Sequence, residues 1–229
     1  MTRVAYLHEL QELRDDVVAM ASMTDKALSR SVDALRRQDV SLAREVMAAD
    51  RYVNNHRWQT EERALHLIAT QGPMAGDLRT ISAAIHITTE LERMADHAAG
   101  IGKIVIQISD EPVLKPLVDI PRMSEIAREM LAASVSAYID GNVEAARATA
   151  LRDDEVDALY DQIYRELLTY MMADPRTINR ATRLLWAAHN IERVADRVTN
   201  ICEWVIFAVN GSLEELSRSL NESAMATPS

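Results

Sequence analysis

The chain contains few of the residues on which β-rich and disulfide-bonded proteins depend. Its 229 residues include one cysteine, six glycines and six prolines. A single cysteine, Cys202, excludes an internal disulfide and a cysteine-rich zinc site. The scarcity of glycine and proline argues against a β architecture with many tight turns.

Long apolar runs and a secretory leader are missing as well. The opening residues, MTRVAYLHELQELRDD, have no apolar stretch of the kind that signal peptides carry. No window approaches about 18 uninterrupted apolar residues, the length that a membrane span needs. We therefore expect a cytoplasmic protein that does not insert into a membrane.

The chain has fewer basic than acidic residues. The chain has 25 Lys and Arg against 35 Asp and Glu, which gives a formal net charge of −10. Because neutralising phosphates needs a net basic face, we expect no nucleic-acid partner. Apolar residues make up 48% of the chain, enough for a sizeable core in one large domain or in two of about 110 residues.

The few breakers divide the chain into long helical stretches. Proline punctuates helices because it lacks an N–H donor and clashes with the preceding turn. Between Leu184 and Val209, apolar residues recur at alternating spacings of four and three, which is typical of one face of an amphipathic helix. The sequence predicts six helices, at about 4–37, 40–70, 74–108, 119–140, 142–173 and 176–210.

The chain also repeats itself at a spacing of one hundred residues. The segment ELERMADHAAGI at 90–101 aligns with NIERVADRVTNI at 190–201. The predicted fold is all-α, with two tandem, internally duplicated three-helix bundles made of six long antiparallel helices. The predicted divisions are a first repeat at 1–108, a linker at 109–118, a second repeat at 119–210 and a flexible tail at 211–229.

Pairs of carboxylates recur at helical spacing. Each repeat contains E-R-x-A-D, in which the two acids share a helix face, and like charges four residues apart destabilise a helix by a few tenths of a kcal/mol. Duplication of such a costly pattern indicates a functional site. The pairs are Glu92 with Asp96, Glu192 with Asp196 and Asp153 with Asp157, while Asp50 is matched by Asn54.

Hairpin geometry predicts that these pairs face one another. Asp153 and Asp196 are equidistant from the turn at 174–175, and Asp50 and Asp96 are equidistant from Pro73. Equidistant residues of an antiparallel helix pair lie at the same height. Carboxylates that converge in this way repel one another unless a cation lies between them.

Oxygen ligands suit magnesium, manganese or iron. His189, three residues before Glu192, could add a nitrogen and shift the preference toward iron or zinc. The alternative is that the acids form an ordinary solvated face, with Arg93 and Arg193 paired to the aspartates three residues later.

The doubled segments resemble the PhoU family, the accessory regulators of bacterial phosphate uptake. The resemblance rests on LERMADH at 91–97, IERVADR at 191–197 and PMAGDLR at 73–79, and it covers residues 3–210. It implies two three-helix bundles, a cytoplasmic location, frequent dimers and metal clusters bound by E/D-x-x-x-D motifs. The matching positions are Glu92, Asp96, Glu192, Asp196, Asp153, Asp157 and Asp50, and Asn54 departs from the pattern.

The same resemblance implies a function. Members of the family act as adaptors between the phosphate ABC transporter and a membrane sensor histidine kinase, and they hold the phosphate-starvation response off when phosphate is plentiful. The expected partners are therefore the transporter ATPase, the kinase and a second copy of the chain.

Two alternatives remain open at the level of the residues. One is a metal-dependent hydrolase or oxidase that uses the same carboxylates, and the other is a helical scaffold that binds no metal. The sequence has no Gly-rich phosphate loop and no G-x-S-x-G elbow, which favours a protein that is not an enzyme.

Overall fold

The computed structural model describes residues 3–216, and across that range it contains α-helices, one short 3-10 helix and no strand. None of these helices has the apolar length needed to cross a bilayer. The helices are α1 (Arg3–Arg37), α2 (Val40–Gln71), α3 (Ala75–Ile108), α4 (Asp119–Asp140), α5 (Val143–Ala150), α6 (Asp153–Ala173) and α7 (Ile178–Asn210), with the 3-10 helix at Pro175–Thr177 between the last two.

The helices end where the breakers predict, and local chemistry explains the ends. Asp39 caps α2 by accepting the backbone N–H of Leu42 at 2.9 Å. Gly72 and Gly141 follow α2 and α4 with φ of 53° and 61°, a left-handed conformation that glycine adopts without steric cost.

The predicted helix at 142–173 is wrong in one respect, because the structure divides it into α5 and α6. At the junction the N–H of Arg152 bonds to the carbonyl of Thr149, three residues back, so the turn is tighter than an α-turn. Asp153 and the two acids after it then occupy the first turn of α6, where negative charge favours a helix start.

The predicted pair of three-helix bundles is confirmed. Helices α1, α2 and α3 pack together as the first repeat, and α4, the α5–α6 pair and α7 pack together as the second. The two repeats meet mainly along α3 and α7, with a further contact between α1 and α4. One continuous core runs through both and includes Met20, Leu91, Met130 and Ile191, each at most 1% exposed.

The α3–α7 interface has a pseudo-twofold axis that follows the internal repeat. Glu90 on α3 accepts hydrogen bonds from Arg197 Nη1 at 3.3 Å and Asn200 Nδ2 at 3.2 Å. One hundred residues later, Asn190 lies 3.0 Å from His97, and its side chain packs against the bare Cα of Gly100. Each contact therefore has a counterpart in which the two helices exchange roles.

The segments that leave α3 and α7 take different courses. The predicted linker crosses to the second repeat, where Arg180 donates to the carbonyl of Pro112 at 2.9 Å and the buried Lys115 pairs with Glu166. Within the predicted tail, Glu214 pairs with Arg147 of the second repeat and Leu216 is 7% exposed, so its first residues are held by contacts. The rest of the predicted tail, 217–229, lies outside the described residues.

Candidate functional site

The second repeat brings its four predicted carboxylates together. Asp153 and Asp157 lie on the first turns of α6, and Glu192 and Asp196 lie on the facing stretch of α7. Burial raises the pKa of Asp153 to about 7, and the negative charges of Asp157, Asp196 and Glu192 add to the increase. The four side chains therefore lie within range of one another's charge.

The other acids of this cluster respond in the same direction. Partial desolvation raises the pKa of Glu192, and the charge of Asp196 raises it further. Asp157 lies at the solvent edge of the cluster, yet desolvation and the charge of Asp196 also raise its pKa. Protonation therefore relieves repulsion here at a higher pH than for an isolated carboxyl.

Arg193 supplies positive charge to this cluster from its own helix. Its Nη2 donates to Glu192 Oε1 at 2.9 Å, and its Nη1 lies 2.7 Å from Asp196 Oδ2. This i,i+3 pair with Asp196 is the alternative to a bound cation that the sequence left open. Arg193 Nε also lies 2.8 Å from Glu192 Oε2, whereas the buried Asp153 Oδ1 is left without a hydrogen-bond partner.

His189 stands beside the cluster and half exposed. Its Nδ1 lies 3.3 Å from Glu192 Oε2, and its ring meets that of Tyr160 at a centroid distance of 5.9 Å. Burial lowers the pKa of His189, and the positive charges of Arg193 and His97 lower it further. The imidazole is therefore neutral at pH 7, which is the form that binds metals.

The first repeat has an equivalent cluster with one carboxylate fewer, because Asn54 stands where the second repeat has Asp157. Asn54 donates to Asp50 Oδ2 at 3.1 Å, and burial together with the charge of Asp96 raises the pKa of Asp50. Burial and the same Asp96 charge also raise the pKa of Glu92. Arg57 Nε lies 3.9 Å from Glu92 Oε1, so this cluster too has a guanidinium at its edge.

The donor sets of both clusters suit a hard cation. Oxygens of Asp50, Asn54 and Asp153 are buried without hydrogen-bond partners, and oxygen ligands of this kind suit magnesium, manganese or iron. As the side chains stand, no three His, Cys, Asp or Glu residues within 3–216 are grouped tightly enough to hold an ion. Binding would therefore require the carboxylates to turn away from Arg193 and Arg57 toward the ion.

Sequence reasoning missed Arg57 at the first cluster and Glu90 at the interface between the repeats. Arg57 lies three residues after Asn54 and therefore on the same face of α2, which is the signal that could have identified it. Glu90, which joins the repeats, is 8% exposed and is the first residue of the repeated segment, but it lies outside the E-R-x-A-D motif.

The PhoU domain matches this chain twice, at residues 17–105 and 120–205. A phosphate-specific transport system accessory protein PhoU homolog of Clostridium acetobutylicum is 34% identical over 95% of this chain and 100% of its own length. The corresponding protein of Caulobacter vibrioides is 38% identical over 93% of this chain and 92% of its own.

Solved structures agree with these relatives. The crystal structure of PhoU from Pseudomonas aeruginosa superposes with a TM-score of 0.86 and 31% identity, covering 90% of this chain and 100% of that one. The phosphate transport system regulatory protein PhoU from Streptococcus pneumoniae gives a TM-score of 0.85 at 27% identity, covering 91% and 99%.

Proposed function

The chain belongs to the PhoU family, and from this membership we propose that it is a cytoplasmic regulator of phosphate uptake and of the phosphate-starvation response. The observation that carries the proposal is the double match of the PhoU domain at 17–105 and 120–205, which spans both repeats. Relatives that align along nearly the whole chain are named accessory proteins of the phosphate-specific transport system.

The regulator acts by docking and is not an enzyme. It serves as an adaptor between the phosphate ABC transporter ATPase and a phosphate-sensing histidine kinase, and it keeps the kinase response off when phosphate is plentiful. Large exposed aromatic side chains support a docking role, since such side chains are enriched at interfaces. Tyr52, Trp58 and Trp186 are 56%, 61% and 51% exposed.

Divalent or trivalent cations stabilise the docking form by neutralising the two carboxylate clusters. The ligands would be Asp153, Asp157, Glu192 and Asp196 in the second repeat, with His189 beside them, and Glu92, Asp96, Asp50 and Asn54 in the first. The buried oxygens of Asp50, Asn54 and Asp153 that have no hydrogen-bond donor support this role. A bound iron, zinc, manganese or magnesium ion would supply positive charge where the carboxylates repel one another.

The regulatory proposal is tested by deleting the gene in its host and measuring a phosphate-starvation reporter. We expect the reporter to become active at high phosphate and repression to return with the wild-type gene. Affinity purification at high and low phosphate should recover the transporter ATPase or the kinase. A deletion strain that still represses the reporter would contradict the proposal.

The metal proposal is tested by elemental analysis of purified protein. The double variant Glu192→Gln and Asp196→Asn should lose the metal of the second repeat and weaken repression. A matched control changes two exposed acids outside the clusters, Asp140→Asn and Glu144→Gln, and should keep both. Equal metal content in the two double variants would remove this part of the proposal. Phosphoester turnover that the Glu192 variant loses would instead favour a hydrolase.

A further inference from the structure

A groove of about 330 Å³ lies between α3 of the first repeat and α7 of the second. Helix α3 contributes Lys103, Ile104 and Gln107, and α7 contributes Arg183 and Trp186. The Trp186 ring is half exposed, and the Arg183 guanidinium lies 4.9 Å from its centroid. The groove therefore combines an aromatic floor with two cations.

The pseudo-twofold axis relates this groove to a second position between α3 and α7, which we call the filled place because aromatic side chains occupy it. There Trp204 stands where the groove has Ile104, and Phe207 stands where it has Gln107. The Trp204 ring stacks on His86 with centroids 3.8 Å apart, and it meets Phe207 edge-on at 5.5 Å. The smaller and polar side chains of the first repeat leave this volume open.

The chain itself covers the filled place but not the groove. Glu203 accepts the backbone N–H of Leu216 at 2.8 Å, which fixes the segment after α7 over the second repeat. The equivalent segment after α3 is the linker, and its contacts with Arg180 and Glu166 carry it to the other repeat. Among residues 3–216, no segment takes the corresponding position over the groove.

The charge of the groove is the reverse of that at the filled place. Lys103 stands where the second repeat has Glu203, and Arg183 stands where the first repeat has the buried Ala83. Within residues 3–216, neither cation forms an ion pair with a carboxylate oxygen within 4.0 Å, and Lys103 acts on a carboxylate only from a distance, where its charge lowers the pKa of Asp50. A group that enters the groove is therefore favoured if it brings negative charge.

We propose that this groove binds an acidic segment of a partner protein, with an apolar side chain on Trp186 and Ile104 and carboxylates against Lys103 and Arg183. The segment over the filled place is a precedent for the apolar side chain only, because Leu216 is buried there while Glu214 pairs with Arg147 on α5. The inference rests on the adaptor role proposed above and names the surface through which the adaptor binds a partner.

The first test is direct binding of a fluorescein-labelled peptide of sequence Glu-Leu-Glu-Glu-Leu-Glu, followed by anisotropy. Arg183→Glu and Trp186→Ala should each weaken binding about tenfold or more, because Arg and Trp are frequent binding hot spots. Arg165→Glu, an exposed cation on the outer face of α6, is the matched control and should bind as the wild type does. Replacing the four glutamates of the peptide by glutamine should abolish binding.

Several outcomes would overturn the proposal. These are equal binding by the Arg183→Glu and Arg165→Glu variants, equal binding of the glutamine peptide, and no saturable binding at all. Sedimentation analysis adds another: if Arg183→Glu turns a dimer into a monomer, a second copy of the chain covers the groove instead of a partner. Arg183→Gln, which keeps most of the side chain, guards against misfolding and should show an intermediate affinity.

A reporter strain separates this proposal from the function on which it rests. If the wild-type gene fails to restore repression in the deletion strain, the regulatory function is wrong, whatever the peptide does. If the wild-type and Arg183→Glu genes restore repression equally, the regulatory function stands and the groove proposal falls. We expect Arg183→Glu to lose repression and Arg165→Glu to retain it.

Discussion

The Arg197 guanidinium donates to the Glu90 carboxylate at 3.3 Å, and this contact joins the two repeats across α3 and α7. Glu90 is 8% exposed and also accepts from Asn200, so its negative charge is almost enclosed between the helices. The counterpart contact, between Asn190 and His97, is formed by one neutral amide and one imidazole. The interface is symmetric in position and asymmetric in charge.

Glu90→Ala should destabilise the protein by about 2–3 kcal/mol, because it removes a buried acceptor and leaves Arg197 and Asn200 without it. The measurement is the free energy of unfolding in urea at pH 7. Glu62→Ala, an exposed acid on α2, is the control and should change the stability by less than about 0.5 kcal/mol. A loss of similar size in both variants would show that the Glu90 contacts contribute little.

The main features of the fold could be predicted because helix ends and helix faces are local properties. Proline and glycine positions located the turns, and the spacing of apolar residues identified the buried faces. The level register of Asp153 and Asp196 could be predicted by simple counting, because an antiparallel hairpin with a short turn fixes which residues lie at the same height. The raised pKa of Asp153, caused in part by Asp196, agrees with that register.

Other features depend on contacts that no local pattern encodes. The tight turn at Arg152 interrupts a continuous amphipathic pattern, and it becomes apparent only from the bond to Thr149. The contact of Arg57 with Glu92 depends on how α2 is rotated against α3. The open groove at Trp186 arises from a difference between two repeats that look alike at the level of the motif.

The thiol of Cys202 should be unreactive in the folded protein. The residue is completely buried, and burial followed by the charge of Glu203 raises its pKa to about 12. Labelling with a maleimide at pH 8 should be at least about 100-fold slower in the native than in the urea-unfolded state, because the thiolate is the reactive form. Native labelling at the unfolded rate would show that α7 opens easily around this residue.

Arg193→Gln should increase the affinity for a cation and decrease the stability of the metal-free protein. Arg193 lowers the pKa of Glu192, so its removal leaves the second cluster with more repulsion and no internal cation. A calorimetric titration with manganese should show an affinity about 3–10-fold higher than that of the wild type. In EDTA at pH 8, the free energy of unfolding should be lower by about 1 kcal/mol. Arg165→Gln, on the exposed face of α6, should change neither quantity.

A lower manganese affinity in Arg193→Gln would contradict this competition. It would indicate that the guanidinium holds Glu192 and Asp196 in the orientation that an ion uses. The two results have opposite signs, so a single titration series distinguishes them.

Asp153→Asn should remove part of the pH dependence of stability. The folded-state pKa of Asp153 is about 7 against an ordinary value of 3.8, so the folded chain holds this proton more tightly than the unfolded chain does. The stability therefore falls as the pH rises from about 4 to about 7, because over this range the folded state must give up a proton that the unfolded state has already lost. Above about pH 7, Asp153 is ionised in both states and its contribution is constant.

The variant carries no charge at this position, so its free energy of unfolding should exceed that of the wild type by about 2 kcal/mol at pH 8, after allowance for partial exposure. At pH 4 the difference should shrink, because Asp153 is then protonated in the folded wild type. Urea unfolding between these two pH values, in EDTA, provides the measurement, and Asp140→Asn serves as an exposed control. If both variants keep the wild-type slope, Asp153 ionises freely and the carboxylates of the second repeat do not repel one another through it.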